Sequence, residues 1–89
     1  MKDNIYIDPD EDIQSVIQKI HDAETEAVDL VVPTGARILQ NIVDAHLIKE
    51  AENESKKTLT IVTSDLMGKI FAERAGLQVA GQAEYKSNS

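Results

Sequence analysis

The chain has 89 residues, which is enough for one compact domain and too short for two. It has no cysteine, which excludes a disulfide framework and a cysteine-based zinc site, and no apolar run near the roughly 18 residues of a membrane span. The net charge of −7 argues against a nucleic-acid partner, because phosphate binding requires clustered lysine and arginine. We therefore expect a cytoplasmic domain with no membrane insertion in this segment.

The negative charge is concentrated in the first third of the chain. Residues 1–29 carry nine acids against two lysines, whereas residues 30–89 carry seven of each sign. Solubility is our main interpretation of this excess, and a basic protein partner is the second. The chain has no Trp and one Phe, so the core must be aliphatic, as is typical of α/β layers.

The first predicted elements are a short strand and a helix. Residues 4–7 predict the strand, which Asp8 and Pro9 end because the residue before a proline is held extended. The acidic run of residues 10–12 suits a helix N-terminus. Apolar residues then recur at helical spacing and predict a helix over residues 11–24. These residues are Ile13, Val16, Ile17 and Ile20.

A second strand and a long helix follow. Residues 27–32 predict a buried strand, which Pro33 and Gly35 end. We predict that the second helix begins near Ala36, with one buried and one solvated face. The buried stripe is expected to contain Leu39, Ile42, Val43, Leu47 and Ala51. The solvated face is expected to contain Gln40, Asp44, Lys49, Glu50 and Glu52.

The last elements are a strand over residues 58–63, a third helix and a brief strand over residues 77–80. Ser64 or Asp65 is expected to cap this helix, and Gly76 to end it in a left-handed conformation with a hydrophobic contact from Leu77. Its inward residues are predicted to be Leu66, Ile70, Phe71 and Ala75. We expect one domain over residues 1–81, followed by a linker or tail over residues 82–89.

This alternation predicts a Rossmann-like α/β fold of order βαβαβαβ, in which a four-stranded, mainly parallel sheet packs with three helices. The second and third strands are expected to be interior and the short outer strands to be edges. Because three helices cover two sheet faces unevenly, part of a face or the edge at residues 77–80 is expected to stay open for a partner.

Ligands gather at the carboxyl ends of strands in open parallel sheets, so three loops are candidate sites. In the first, Asp8 and Asp10 resemble the Asp-x-Asp motif of haloacid-dehalogenase-like hydrolases. However, Asp12 stands where that family usually has Thr or Val, and the chain lacks the paired late acids and is less than half the usual length. We therefore interpret these acids as a helix cap.

The second loop contains Thr34, Gly35 and Arg37 at the expected start of a helix. Its backbone N–H groups, hydroxyl and guanidinium could together hold an anion. One glycine is far short of a nucleotide-binding signature, however. Our preferred interpretation is that these residues end the strand and form a turn, and a nucleotide- or anion-binding site is the alternative.

The third loop, Thr63, Ser64 and Asp65, offers hydroxyls and a carboxylate but no base to activate them. We prefer helix capping here, with ligand binding again as the alternative. His21 and His46 border apolar stripes and are interpreted as partly buried structural residues. No third ligand accompanies them, so we expect no metal site, no cofactor and no catalytic residue.

The run VVPTGARILQNIVDAHLIKEAE, followed by TLTIVTSD and IFAERAGLQV, resembles the small Rossmann-like domain near the N-terminus of large, poorly characterised bacterial proteins. In those proteins the domain often precedes a membrane-spanning segment. The matching positions are Val32, Pro33, Leu39, Asp44, Leu47, Thr63, Asp65, Ala75 and Gly76.

This resemblance implies a non-enzymatic, cytoplasmic interaction or structural module within a longer chain. Its partner would be a protein or another domain of the same chain, and no oligomeric state follows. A weaker resemblance, to STAS domains, rests on the helix that ends in ERAGL. The stretch PTGAR lacks the Asp-Ser-Ser-Gly type of signal found there, so this resemblance ranks lower.

Overall fold

The computed structural model describes residues 2–81, and the tail predicted over residues 82–89 lies outside them. Strands and helices alternate in the predicted order. The strands are β1 (Lys2–Tyr6), β2 (Ala27–Val31), β3 (Thr58–Val62) and β4 (Gln78–Ala80). The helices are α1 (Ile13–Asp22), α2 (Ile42–Ser55) and α3 (Leu66–Arg74).

The four strands form one parallel sheet in the order β1-β2-β3-β4. This confirms the predicted fold class, the interior positions of β2 and β3, and the edge position of β4. Connections between parallel neighbours are right-handed, and each one here steps in the same direction, so all three helices lie on one face of the sheet. Accordingly, α1 packs against α2, and α2 packs against α3.

The hydrophobic core lies between these helices and that face. Alternate residues of each interior strand enter it, as expected from the two-residue repeat of a strand. β2 and β3 contribute Val28, Leu30, Leu59 and Ile61, and Val32, just after β2, lies in the same core. The helices contribute Val16, Ile20, Ala45, Ile48, Ala51 and Ala72.

The opposite face of the sheet carries the remaining strand residues. The strand register aligns one polar row across all four strands, made of Asn4, Asp29, Thr60 and Gln78. The hydroxyl of Thr60 lies 3.3 Å from Oε1 of Gln78. The next row contains Val31 and Val62, both buried. None of the three helices within residues 2–81 lies on this face.

The predicted start of the second helix is wrong. α2 begins at Ile42 rather than near Ala36, and Asn41 caps it by accepting the N–H of Asp44 at 2.9 Å. The preceding residues form a loop in which Ile38 and Leu39 are nevertheless buried. Leu39 has a φ of 63°, which no right-handed helix contains. The loop itself therefore buries apolar residues whose spacing suggested a helix.

Several predicted orientations are also wrong. Val43 and Leu66, expected in the core, are exposed, and both histidines are exposed rather than partly buried. Glu52, expected in solvent, is only 9% exposed. Its Oε2 accepts the N–H of Leu59 at 2.8 Å and its Oε1 lies 2.6 Å from Nζ of Lys49. The carboxylate is buried because it satisfies a main-chain donor at the start of β3.

The predicted ends of the third helix are confirmed, since Asp65 caps it and Gly76 follows its last turn. Gly76 has a φ of 91°, and its N–H donates to the carbonyl of Glu73 at 3.0 Å. The N–H of Leu77 donates to the carbonyl of Ala72 at 2.9 Å, which completes a Schellman motif. α1 is shorter than predicted at both ends, and Asp12 caps it by accepting the N–H of Ser15 at 2.9 Å.

Candidate functional site

Three loops meet at the carboxyl end of the sheet, and we call residues 7–12, 32–41 and 63–65 the loop surface. The N–H of Arg37 donates to the carbonyl of Pro9 at 2.8 Å, which joins the first loop to the second. The N–H of Gly35 donates to Oδ2 of Asp65 at 2.8 Å, which joins the second to the third. The loop surface is therefore one connected layer.

Asp65 is the centre of this layer. Its Oδ1 accepts the N–H of Gly68 at 3.0 Å and so caps α3, while its own N–H donates to the hydroxyl of Thr63 at 3.1 Å. The N–H of Gly35, followed by that of Gly68, holds the pKa of the Asp65 carboxyl below its ordinary 3.8, and these bonds outweigh the effect of burial. The position that an anion would take at the N-terminus of α3 is thus occupied by the protein's own carboxylate.

The second predicted loop site differs from expectation because its helix starts later. Thr34 and Arg37 are exposed, and the N–H of Gly35 is already bonded to Asp65. Since α2 begins at Ile42, the interpretation that residues 34–37 form a helix N-terminus is wrong. Binding of an anion by the Arg37 guanidinium stays a prediction.

The third predicted loop site is mainly structural in its contacts. Thr63 is completely buried, and its hydroxyl is the acceptor for Asp65. Ser64 is exposed. The structure thus brings together Gly35, Thr63 and Asp65 among the six predicted ligand-binding residues, and it does so through bonds that brace the loops.

A second carboxylate, Glu11, organises the loop after β1. It accepts the N–H of Asp8 at 3.0 Å and the hydroxyl of Ser15 at 2.6 Å, and it lies 2.8 Å from Nζ of Lys19. Burial raises the pKa of Glu11, but the bonds from Lys19, Ser15 and Asp8 together hold it below its ordinary 4.5. This arrangement fits the interpretation of the acidic run as a structural helix start.

Among residues 2–81, the large apolar side chains that are most exposed lie at this same end of the sheet. Tyr6 ends β1, Val43 lies in the first turn of α2, and Leu66 and Met67 open α3. Their exposed fractions are 64%, 61%, 69% and 48%. Sequence reasoning missed this feature because Val43 and Leu66 fit an apolar stripe. We call these four side chains the apolar end.

A shallow groove of about 380 Å³ runs beside the outer edge of β1. Its walls are residues 3–6 of that strand and, from α1, Lys19, Asp22 and Ala23. The sequence predicted an open edge at β4 instead. Nothing in the local pattern of residues 2–6 indicates a groove, because its second wall comes from a helix that is distant in the chain.

Within residues 2–81, no three His, Asp or Glu side chains converge so that they could hold a metal ion. In the same part of the chain, none of the helices has the length and apolar character needed to cross a membrane. Comparison with protein-family models, curated proteins and solved structures found no match.

Proposed function

We propose that the chain is a non-enzymatic protein-interaction module, and that a partner contacts its apolar end. The observation that supports this is the position of Val43, Leu66 and Met67 at the helix starts beside the carboxyl end of the sheet, where Tyr6 lies on the opposite face. Scattered exposed apolar residues are ordinary, but a concentration at one end is typical of an interaction surface. Burying a large apolar side chain completely contributes about 1.5–3 kcal/mol, so a partner that covers these four gains substantial stability.

The contacts of the loop surface favour a structural role over a catalytic one. The carboxylates of Asp65 and Glu11 are bonded to main-chain donors, and the hydroxyl of Thr63 is an acceptor within the same layer. A nucleophile needs a neighbouring base or metal to activate it. These three side chains are instead engaged in holding the loops together.

The wider context of the module follows from the resemblance to the N-terminal domains of large bacterial proteins. We propose a cytoplasmic module of a longer bacterial chain, whose partner is a protein or another domain of that chain. The net charge of −7 supports a protein partner over a nucleic acid, because phosphates would be repelled.

Photo-crosslinking tests the proposed function. A benzophenone amino acid replaces Leu66 or Met67, and the control replaces Gln18, which is exposed on α1. We expect adducts between the chain and its partner from the two α3 positions. Excess wild-type chain should suppress these adducts, and excess of the Leu66→Ser, Met67→Ser double variant should not. Equal adducts from all three positions, or suppression by both competitors, would contradict the proposal.

Two further assays address the other functional classes. If the chain binds nucleotides or phosphate, titration will shift the amide signals of residues 34–37 and 63–66, and Arg37→Gln will abolish the shifts. If it is a phosphohydrolase, it will cleave a phosphoester with Mg²⁺ and Asp8→Asn will abolish turnover. We expect neither result, and the second would overturn the non-enzymatic assignment.

A further inference from the structure

We propose that the outer edge of β1 binds an extended, basic peptide segment of a protein partner, which joins the sheet as an additional strand. This inference rests on the proposed function and assigns to it a second surface, the groove between β1 and α1. Extended peptides commonly bind in this way, with main-chain hydrogen bonds providing affinity and alternate side chains providing specificity.

The main chain of β1 presents, at this edge, hydrogen-bonding groups that pair with no other strand of residues 2–81. The N–H of Ile7 donates to the carbonyl of Val31 at 3.0 Å, which fixes the alternation along the strand. Residues 3, 5 and 7 direct their N–H and C=O groups at β2, so Asn4 and Tyr6 direct theirs outward. Among residues 2–81, β2 is the only strand that pairs with β1.

The edge at β4 is less suitable. That strand has three residues, of which Gln78 and Ala80 face β3, as the bond from the N–H of Thr63 to the carbonyl of Ala80 at 3.0 Å indicates. Only Val79 then directs its main-chain groups outward. By the same alternation, β1 offers three such residues in five, at positions 2, 4 and 6, and has the groove beside it.

The charges around the groove select a basic occupant. Asp3 and Asp22 line it, and Lys19, the one cation among the described lining residues, lies 2.8 Å from Glu11, which offsets its charge. Residues 1–29, which include both walls, carry nine acids against two lysines. A lysine or arginine in the added strand would therefore meet a negative field, and an acidic residue would be repelled.

The order of residues along the walls sets a pattern for the occupant. The crossover requires α1 to run against β1, so the last turn of α1 lies beside the first residues of the strand. Asp22 is thus placed near Asp3, and a half-buried Ile5 lies one step along the same side of β1. The occupant would direct a basic and an apolar side chain, two residues apart, to this side.

The test uses an acetylated, amidated probe peptide of sequence VTKTVTKT, which has this pattern in both strand directions. The matched control peptide is VTETVTET. Both are titrated into the ¹⁵N-labelled 89-residue chain. We expect the basic peptide to shift amide signals of residues 3–6 and 19–23, to slow hydrogen exchange at Asn4 and Tyr6, and to bind at least tenfold more tightly than the acidic peptide.

Two kinds of variant separate strand addition from charge attraction alone. Asn4→Pro removes an outward N–H but no bond to β2, so it should abolish binding of the basic peptide. Asp22→Asn should weaken binding about threefold, as expected for one exposed charge, and Glu50→Gln on α2 should leave it unchanged. If Asn4→Pro fails to fold, the inference is tested by Asp22→Asn and Glu50→Gln together with hydrogen exchange at Asn4 and Tyr6.

The inference would be overturned if the two peptides bound alike, if the shifts lay outside the groove, or if neither peptide bound. It would also be overturned if a folded Asn4→Pro variant bound normally. Adducts at Leu66 and Met67, together with unshifted amide signals at β1, would contradict this inference and leave the proposed function intact. Shifts of the β1 amide signals without specific adducts at Leu66 and Met67 would support this inference and contradict the proposed function.

Discussion

At the scale of single residues, one carboxylate joins parts of the chain that are far apart. Asp65 caps α3 through the N–H of Gly68 and holds the loop after β2 through the N–H of Gly35. Because these roles use different oxygens, they add to one another. Asp12 has only the first role, since it caps α1 through the N–H of Ser15. It is therefore a natural control.

We predict that Asp65→Ala lowers the free energy of unfolding by about 2 kcal/mol, of which about 1 kcal/mol is the lost helix cap and the rest the lost loop bond. Asp12→Ala should lower the free energy of unfolding by about 1 kcal/mol. Urea denaturation of both variants measures the difference. Equal losses would show that the bond between Gly35 and Asp65 contributes nothing.

The same carboxylate predicts a pH dependence. Its pKa is lower in the folded chain than the ordinary 3.8, so its contribution is complete above that value and is lost as the pH falls through the lower folded pKa. Between about pH 5 and about pH 2.5, wild type should lose more stability than Asp65→Asn. Parallel denaturation curves across this range would contradict the assignment. Protonation of Glu11 also lowers stability in both proteins as the pH falls below 4.5.

Lys56 provides a test of backbone strain. It ends α2 with a φ of 58°, a conformation that glycine adopts without strain. Lys56→Gly should raise the free energy of unfolding by about 0.5–1 kcal/mol, whereas Lys56→Ala, which keeps a Cβ, should give no gain. Thermal melts of the two variants check this. A gain from alanine as well would mean that side-chain charge, rather than the backbone, is the cause.

Leu39 has the same backbone strain as Lys56, but here the loss of side-chain burial outweighs the relief of strain. Its φ is 63° and its side chain is buried. Replacing a buried leucine by a small residue costs about 2–5 kcal/mol, which exceeds the strain that glycine would relieve. Leu39→Gly is therefore expected to destabilise, although glycine suits the backbone.

At the scale of elements, the start of α2 distinguishes the observed fold from its sequence prediction. Asn41→Ala should lower the free energy of unfolding by about 1 kcal/mol because it removes the acceptor for the N–H of Asp44. Thr34→Ala, at the end predicted from the sequence, should change it by less than about 0.5 kcal/mol. Urea denaturation and the Cα chemical shifts of residues 36–44 test both statements. Helical shifts already at residue 37 would contradict the observed start.

At the scale of the whole molecule, the charge distribution limits stability. The excess of seven negative charges lies in residues 1–29, and like charges on a compact chain repel one another. Raising NaCl from about 20 mM to about 500 mM should therefore raise Tm by a few degrees. Asp10→Asn should reduce this response, and Glu73→Gln, in the balanced remainder, should reduce it less. A fall of Tm with salt would show that favourable ion pairs dominate instead.

The sheet order also has a consequence at this scale. In doubly wound sheets the order reverses, and the crevice at the reversal is where ligands bind. Here the order β1-β2-β3-β4 has no reversal, so the carboxyl end carries braced loops rather than a crevice. Among residues 2–81, β1 and β4 are the two edges of the sheet.

The number, type and order of the elements, the interior strands and the ends of α3 could be predicted from the sequence. These features have local causes: apolar periodicity along each element, the cap at Asp65 and a left-handed glycine at Gly76. Such signals act within a few residues, so they can be recognised without knowledge of the fold.

Only the tertiary structure decided the start of α2, the burial of Glu52, the exposure of the apolar end and the groove at β1. Each depends on a partner that is distant in the chain, as Gly35 is from Asp65 and Pro9 is from Arg37. Ile38 and Leu39 have the spacing of a helix face but are buried by packing within a loop. Contacts between distant segments leave no local periodicity, and tertiary packing overrides intrinsic propensity where the two disagree.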